Sequence, residues 1–550
     1  MSAVRRRATR VVACLAMLLA AGCGRDTGRE SAVDAGPAAS AATPTVVFRR
    51  SSGPEPDTLD PQRAEDESSR DIIRDLFEGL VGETPDGELV PGAAESWDVS
   101  PDGLSWTFTL RPDGRWSNGD PLTAADFVAG LRRALDPATA SSSAALLAPI
   151  EGAQEIIAGE RPPEALGATA VDTRRIVLRL RSPTPYILGL LTHPITFPVH
   201  GPSLAEHGAR FVRPENLVSN GAYRLDEWEV HSHVQLLANP YFREPPGVGI
   251  VRYYPFDAPE AALNRYRAGD LDLTLQFPMA RFRWLRENLP GELHTAPALS
   301  TQFWLFNTVR SPTDDVRVRK ALAMTVDRTI IVETVTGLGD VGAYGLVPPG
   351  VANYTAQYFE WRDQPIAERA ELARGLLAEA GYGPGNPLRI EVHYNTDDNL
   401  RRVAVAVASM WREHLGVETS LHNEEFRVLL NRRKDPDAWR VLRLAWRGDY
   451  NDASNFLEIL SRSGAVNDTG YDDPEFEQLL ADAALELDPA RRRALLEAAE
   501  RRMLEHYPVL PLYHPVSKRL IKPWVRGFAP NALNRTYSRH LSVDTAQRGF

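Results

Sequence analysis

The chain has 550 residues, 43% of them hydrophobic and 25% charged, with a formal net charge of −11. That is an ordinary globular composition, in a chain too long for one hydrophobic core, so two or three domains are expected. An acidic balance argues against nucleic acid and anionic membrane surfaces as partners.

In chain order, the first segment reads as a targeting signal. Arg5, Arg6, Arg7 and Arg10 precede an apolar run over 11–21 that ends at Gly22-Cys23. A membrane-spanning helix needs about 20 apolar residues, roughly twice that run, so residues 1–22 are read as a signal peptide. Leu19-Ala20-Ala21-Gly22-Cys23 resembles a bacterial lipobox, with leucine one place earlier than usual. The resemblance implies lipidation of Cys23; the alternative is plain cleavage near Ala21. Cys14 leaves with the signal, so one cysteine remains and no intramolecular disulfide can form. Residues 23–44, rich in Ala, Ser, Gly, Thr and Pro, read as a flexible tether.

Residues 46–50 then read as a strand and 68–80 as a helix closing at Gly79. Runs flanking Pro101-Asp102-Gly103 within 97–111 read as a hairpin. Thr123-Ala124-Ala125-Asp126 resembles a capping box, opening a helix with Phe127, Leu131 and Leu135 at four-residue spacing. Residues 176–180 read as a buried strand, and alternation at 223–225 and 234–237 gives further strands. Helices are expected over 316–334, 366–380, 399–414, 474–487 and 489–507, with strands at 388–394 and 440–445. This mixture without strict alternation points to α/β lobes with some antiparallel pairing.

Several chemical signals fail for want of context. Gly337-Leu338-Gly339-Asp340-Val341-Gly342 spells a dinucleotide fingerprint, but it follows a helix and runs into Pro348-Pro349. His231 and His233 would share one face of a strand, yet no third zinc ligand has suitable spacing. Asp270 and Asp272 lack the spacing of a calcium loop. No Walker motif, His-Glu-x-x-His or Gly-x-Ser-x-Gly elbow is present. Neither a catalytic site nor a cofactor is expected.

An ordered series of motifs carries the functional reading. Ala94-Glu95-Ser96-Trp97, Phe108-Thr109-Leu110-Arg111, Trp116-Ser117-Asn118-Gly119-Asp120, Gly221-Ala222-Tyr223, Ala268-Gly269-Asp270-Leu271-Asp272 and Pro511-Leu512-Tyr513-His514 are among them. From about residue 46 to the end, the chain resembles the extracellular solute-binding proteins that serve dipeptide and oligopeptide ABC importers (family 5). The resemblance implies an α/β, two-lobed periplasmic-binding-protein fold of the cluster C type, with an extra subdomain, a hinge and an inter-lobe cleft. It implies lobe I from 45–77, 200–300 and 515–550, an inserted subdomain at 78–199, and lobe II at 301–514.

Trp446-Arg447-Gly448-Asp449-Tyr450-Asn451 resembles the oligopeptide-binding branch, in which the aspartate binds the ligand's α-amino group; Asp449 takes that place. The register sets Glu65, Asp66 and Glu67 along the bound peptide, Phe426 at a cleft aromatic, and Arg433 and Arg443 at two arginines. Trp446 and Phe426 would form apolar walls, and Arg447 and Tyr450 flank the aspartate. A closed cleft requires a fixed counter-charge for a buried ammonium, and arginine grips a carboxylate with two hydrogen bonds. Alone, Asp449 reads as a cap or loop residue, Arg433 and Arg443 as surface charges, Glu65 to Glu67 as a solvated loop, and Phe426 as core. The sequence departs from the branch at Ser141-Ser142-Ser143-Ala144-Ala145, where tyrosines are usual, and at Arg447, where a small residue is usual.

The expected function is capture of short peptides in a closing cleft and delivery to ABC permease and ATPase subunits. The expected form is a periplasmic monomer held to a Gram-negative membrane by lipid alone. The alternatives are a cell-wall (murein) peptide binder of the same fold, a holdase for unfolded chains, and a metal-dependent peptidase.

Overall fold

Alternating burial builds the sheets. In Ser105–Leu110, Trp106, Phe108 and Leu110 face inward while the residues between them are half-buried, as the period of two in a strand requires. The computed structural model describes residues 46–548 except 463 and 465; the signal, the tether and Cys23 lie outside the described residues. Ser105–Leu110 pairs antiparallel with Ala94–Val99, placing Trp97 opposite Phe108, and Gly103 (φ 70°) closes the turn. Arg175–Arg179 and Ala168–Ala170 complete a four-stranded sheet. Arg175–Arg179 is not wholly buried, because it directs Ile176 and Leu178 inward and both arginines outward. Helix Ala124–Leu135 covers this sheet; Asp126 accepts from the Thr123 backbone N–H at 2.7 Å, as a capping box does.

Two larger sheets form the body. The first has seven strands in the order Leu293–Pro297, Val516–Ile521, Leu273–Thr274, Val47–Gly53, Ile250–Pro255, His233–Ala238 and Tyr223–Glu229. The second has six, in the order Val341–Gly342, Val509–His514, Ser300–Phe306, Val441–Arg447, Arg389–Asn395 and Glu418–Glu424. Separate buried clusters underlie the six-stranded and four-stranded sheets, and two more pack against the seven-stranded sheet.

Neighbouring segments carry the chain between the large sheets. Leu293–Pro297 continues through Ala298 and Leu299 into Ser300–Phe306, and Val509–His514 returns through Pro515 into Val516–Ile521. The crossings run side by side, with Ala298 N–H donating to Pro515 O at 3.0 Å. Just inside the second sheet, Thr301 donates to Leu346 O at 2.7 Å and lies 3.0 Å from Nδ1 of buried His514. Glu500 accepts the backbone N–H groups of Leu346 and Val347 at 2.7 and 2.9 Å, tying this point to helix Pro489–His506. Two short extended crossings between rigid layers form a hinge.

Two helices end earlier than expected. The first spans Glu67–Leu76, because Phe77 is extended and the Asn220 side chain takes over both backbone groups of Glu78, at 3.1 and 2.9 Å. The helix expected over 316–334 spans Val316–Met324. Thr325 turns its hydroxyl back to Ala321 O (3.1 Å), Asp327 caps a new turn, and Ile331–Thr336 winds more widely. His231 (φ 62°) sits in a turn and not on the strand with His233. Among the described residues, no helix is long and apolar enough to cross a membrane.

Burial of His514 lowers its pKa from 6.5 to about 4. Between those values the unfolded chain binds more protons than the folded one, so stability falls as pH falls. His514→Gln removes that contribution. Chemical denaturation at pH 6.5 and pH 4 is expected to show wild type losing about 3 kcal/mol relative to the variant; an identical pH dependence in both would contradict this.

Candidate ligand-binding cleft

A cleft of about 830 Å³ opens beside the hinge. Its lining brings together helix Glu67–Leu76, the 142–146 loop with His193, the crossings at Ala298–Ser300 and Pro515, the 532–535 segment, and Arg447 to Asp449. Three of the sequence-derived candidates meet there: Glu67, Arg447 and Asp449.

On the first wall, Asp66 caps the helix, accepting from the Ser69 backbone N–H at 2.7 Å and its hydroxyl at 2.5 Å. Glu67, Arg70 and Arg74 then fall on one helix face, three and four residues apart. Arg74 lies 2.8 Å from Glu67 and 2.9 Å from Asp71, and Arg70 lies 3.6 Å from Glu67. Burial alone would raise the Glu67 pKa, but Arg74, with smaller contributions from Arg535 and Arg70, outweighs it and holds the carboxyl at about 2. Arg535 enters from the chain's far end and pairs with Glu83 at 2.5 Å, also donating to Thr192 at 2.9 Å. Burial first, then Arg535 and Arg74, lowers the His193 pKa well below its ordinary value and keeps the ring neutral.

On the opposite wall, strand Val441–Arg447 ends at the hinge. Arg447 pairs in register with Ser300, and Gly448 N–H donates to Leu299 O at 2.8 Å. Asn455 organises the next residues, its oxygen accepting from the Trp446 indole N–H (2.9 Å) and the Asp449 backbone N–H (3.3 Å). Burial raises the Asp449 pKa, and a hydrogen bond from the Asn455 side chain opposes that shift. Asp452 is pinned by Arg492 at 2.6 and 2.8 Å. Tyr450 stacks on Tyr186, with centroids 4.3 Å apart and planes within 8°, and packs against the four-stranded sheet's core.

The other sequence candidates lie outside the lining. Trp446 packs against the core of the six-stranded sheet. Arg443 donates to Asn395 (2.9 Å) and to Gln302, and burial lowers its pKa. Arg433 lies 2.6 Å from Asp468. Phe426 opens helix Phe426–Arg433 and is 48% exposed. Glu65 is exposed, and Asp66 is occupied as the cap. Sequence reasoning missed Arg70, Arg74, His193 and Arg535. The one available signal was the spacing of Glu67, Arg70 and Arg74 on a helix face.

Arg74 is only 4% exposed and neutralises two carboxylates. Arg74→Met is therefore expected to cost about 3–5 kcal/mol in a urea unfolding experiment. A loss below about 1 kcal/mol would show that the pairs contribute little.

Residues 88–468 match the model of the "Bacterial extracellular solute-binding proteins, family 5 Middle". The chain is 38% identical to the periplasmic murein peptide-binding protein MppA of Escherichia coli K12, over 89% of this chain and 91% of that one. Identity to the periplasmic oligopeptide-binding protein OppA of the same organism is 37%, over 90% and 92%. The unliganded open form of MppA superposes with a TM-score of 0.88 at 37% identity, covering 91% of this chain and 98% of that one. Another structure of MppA, with the same identity and coverage of this chain, reaches only 0.68. The complex of Haemophilus influenzae OppA with the peptide RPPGFSPFR reaches 0.66 at 33% identity, covering 91% and 99%. At equal identity, this chain superposes better on the unliganded open form of MppA than on the other MppA structure, a difference of conformation between the two.

Proposed function

Because the chain belongs to the bacterial extracellular solute-binding proteins of family 5, we propose that it captures short peptides in this cleft and delivers them to the permease and ATPase of an ABC importer. It does so as a binder with no catalytic step. Asp449 carries the reading: its carboxylate lines the cleft and has no ion-pair partner among the described residues. A carboxylate held by Asn455 but left without a cation suits the ammonium of a peptide's amino terminus.

The hinge supports closure over the ligand, with lobe I at 45–77, 200–300 and 515–550, the inserted subdomain at 78–199 and lobe II at 301–514. Closure would remove bulk water and strengthen each charged contact. Arg443, bonded to Gln302 and Asn395, is the deeper candidate for the peptide's terminal carboxylate. Trp446 and Phe426, outside the lining in this arrangement, would supply apolar walls only once the cleft closes. The protein would work as a periplasmic monomer anchored through lipidated Cys23. A cell-wall peptide is the second reading, favoured by the likeness to MppA, a murein peptide-binding protein.

Calorimetry of ligand-free protein against trialanine and N-acetyl-trialanine tests the role of Asp449. Only the free-amine peptide should bind, and Asp449→Ala should cost about 2–5 kcal/mol, some 30-fold or more in Kd. Equal binding of the two peptides would remove Asp449 from this role.

A further inference from the structure

Every charged side chain lining the cleft has an opposite charge beside it, with two exceptions. Arg70 has Glu67, Arg74 has Glu67 and Asp71, and Arg535 has Glu83. Asp449 is the first exception. Arg447 is the second: its guanidinium makes no ion pair and no hydrogen bond among the described residues. The two exceptions carry opposite charges and stand two residues apart in the chain, yet no ion pair joins them. Resting on the peptide reading above, we propose that Arg447 is a specificity-determining residue: it receives a ligand carboxylate close to the ammonium held by Asp449, so the preferred ligands are peptides with an acidic residue in the first two positions.

The local backbone keeps both charges aimed at the cleft. Arg447 is the last residue of its strand and is fixed by its pairing with Ser300 at the crossing. Gly448 is pressed against the interior, where an added Cβ would lie 3.1 Å from the Phe456 ring. Arg447 is exposed in this arrangement, and solvent satisfies it there. Closure would withdraw that solvent from a guanidinium beside the hinge, and an isolated cation in a closed cleft is costly. The opposing wall offers little steric resistance to a ligand side chain, since Ser142, Ser143 and Ala145 line it. Hydroxyl groups and a forked cation form a receptor for a carboxylate and a poor one for an apolar side chain.

A carboxylate near the ammonium has two sources, an acidic side chain or the chain end of a dipeptide. The protein's own Glu67 is a rival partner on closure, since it lines the same cleft. Calorimetry of the purified protein and its Arg447→Gln variant, with Ala-Glu-Ala, Ala-Gln-Ala, Ala-Ala and Ala-Ala-amide, separates these cases. Wild type is expected to bind Ala-Glu-Ala at least about tenfold tighter than Ala-Gln-Ala. The variant should lose that preference, binding Ala-Glu-Ala and Ala-Gln-Ala within about threefold of each other, and its thermal midpoint should stay at the wild-type value. Preference for Ala-Ala over its amide, lost in the variant while the Glu and Gln peptides bind alike, would overturn the acidic-side-chain assignment in favour of the chain end. An equal loss for all four ligands in the variant would assign Arg447 to a closing contact with Glu67 and overturn the proposal. Equal binding of the Glu and Gln peptides by wild type, with no distinction between dipeptide and amide, would overturn the proposal alone. Absence of any peptide binding would overturn the peptide reading itself.

Discussion

An unpaired charge is expensive wherever water is excluded, and that cost arranges the middle of this protein. Arg50, fully buried, lies 3.6 Å from Asp71, which also meets Arg74, which in turn holds Glu67 at the edge of the cleft. From the other side Arg535 reaches Glu83, and Arg539 and Arg243 both reach Glu78. These links bring the C-terminal segment, the first helix and the 78–199 region to one place. Against that pattern, Arg447 and Asp449 are the two charged residues of the cleft lining without an ion-pair partner among the described residues.

The hinge gives that requirement a mechanical consequence. Ala298 and Pro515 lie side by side where the chain passes between the two large sheets. Thr301 and His514 lock the crossings to Leu346, and Glu500 locks that loop to helix Pro489–His506. The bending point is therefore short and bordered by rigid layers. Glu67 stands on one side of it and Asp449 on the other, so a ligand that pairs with both sides would bias the protein toward closure by its differential affinity for the two states.

Local rules made much of the architecture legible. The capping box at Thr123, the Gly103 hairpin and the long helices Asp398–Leu415 and Pro489–His506 all lie where spacing and caps place them. The misplaced helix ends have non-local or side-chain causes: Asn220, 142 residues away, captures the backbone of Glu78, and Thr325 bends its own helix. The cleft was legible where a motif supplied it, at Asp449 and Glu67. It was illegible where long-range pairing supplied it. Arg535 meets Glu83 across 452 residues, and no pattern along the chain announces that pair. Arg447 stood out in the sequence as a departure from the oligopeptide-binding branch, where a small residue is usual; its lack of a partner became visible in three dimensions.

The most direct test of this account is the distance across the cleft. Both cysteines of the chain, Cys14 and Cys23, precede Gly24, so in protein that starts at Gly24 spin labels attach only to cysteines introduced on either side of the hinge. Pulsed electron resonance should give one long distance in ligand-free protein and a shorter one with saturating free-amine tripeptide, with the long distance retained in Asp449→Ala. A wild-type distance unchanged by a peptide shown to be bound would contradict charge-driven closure.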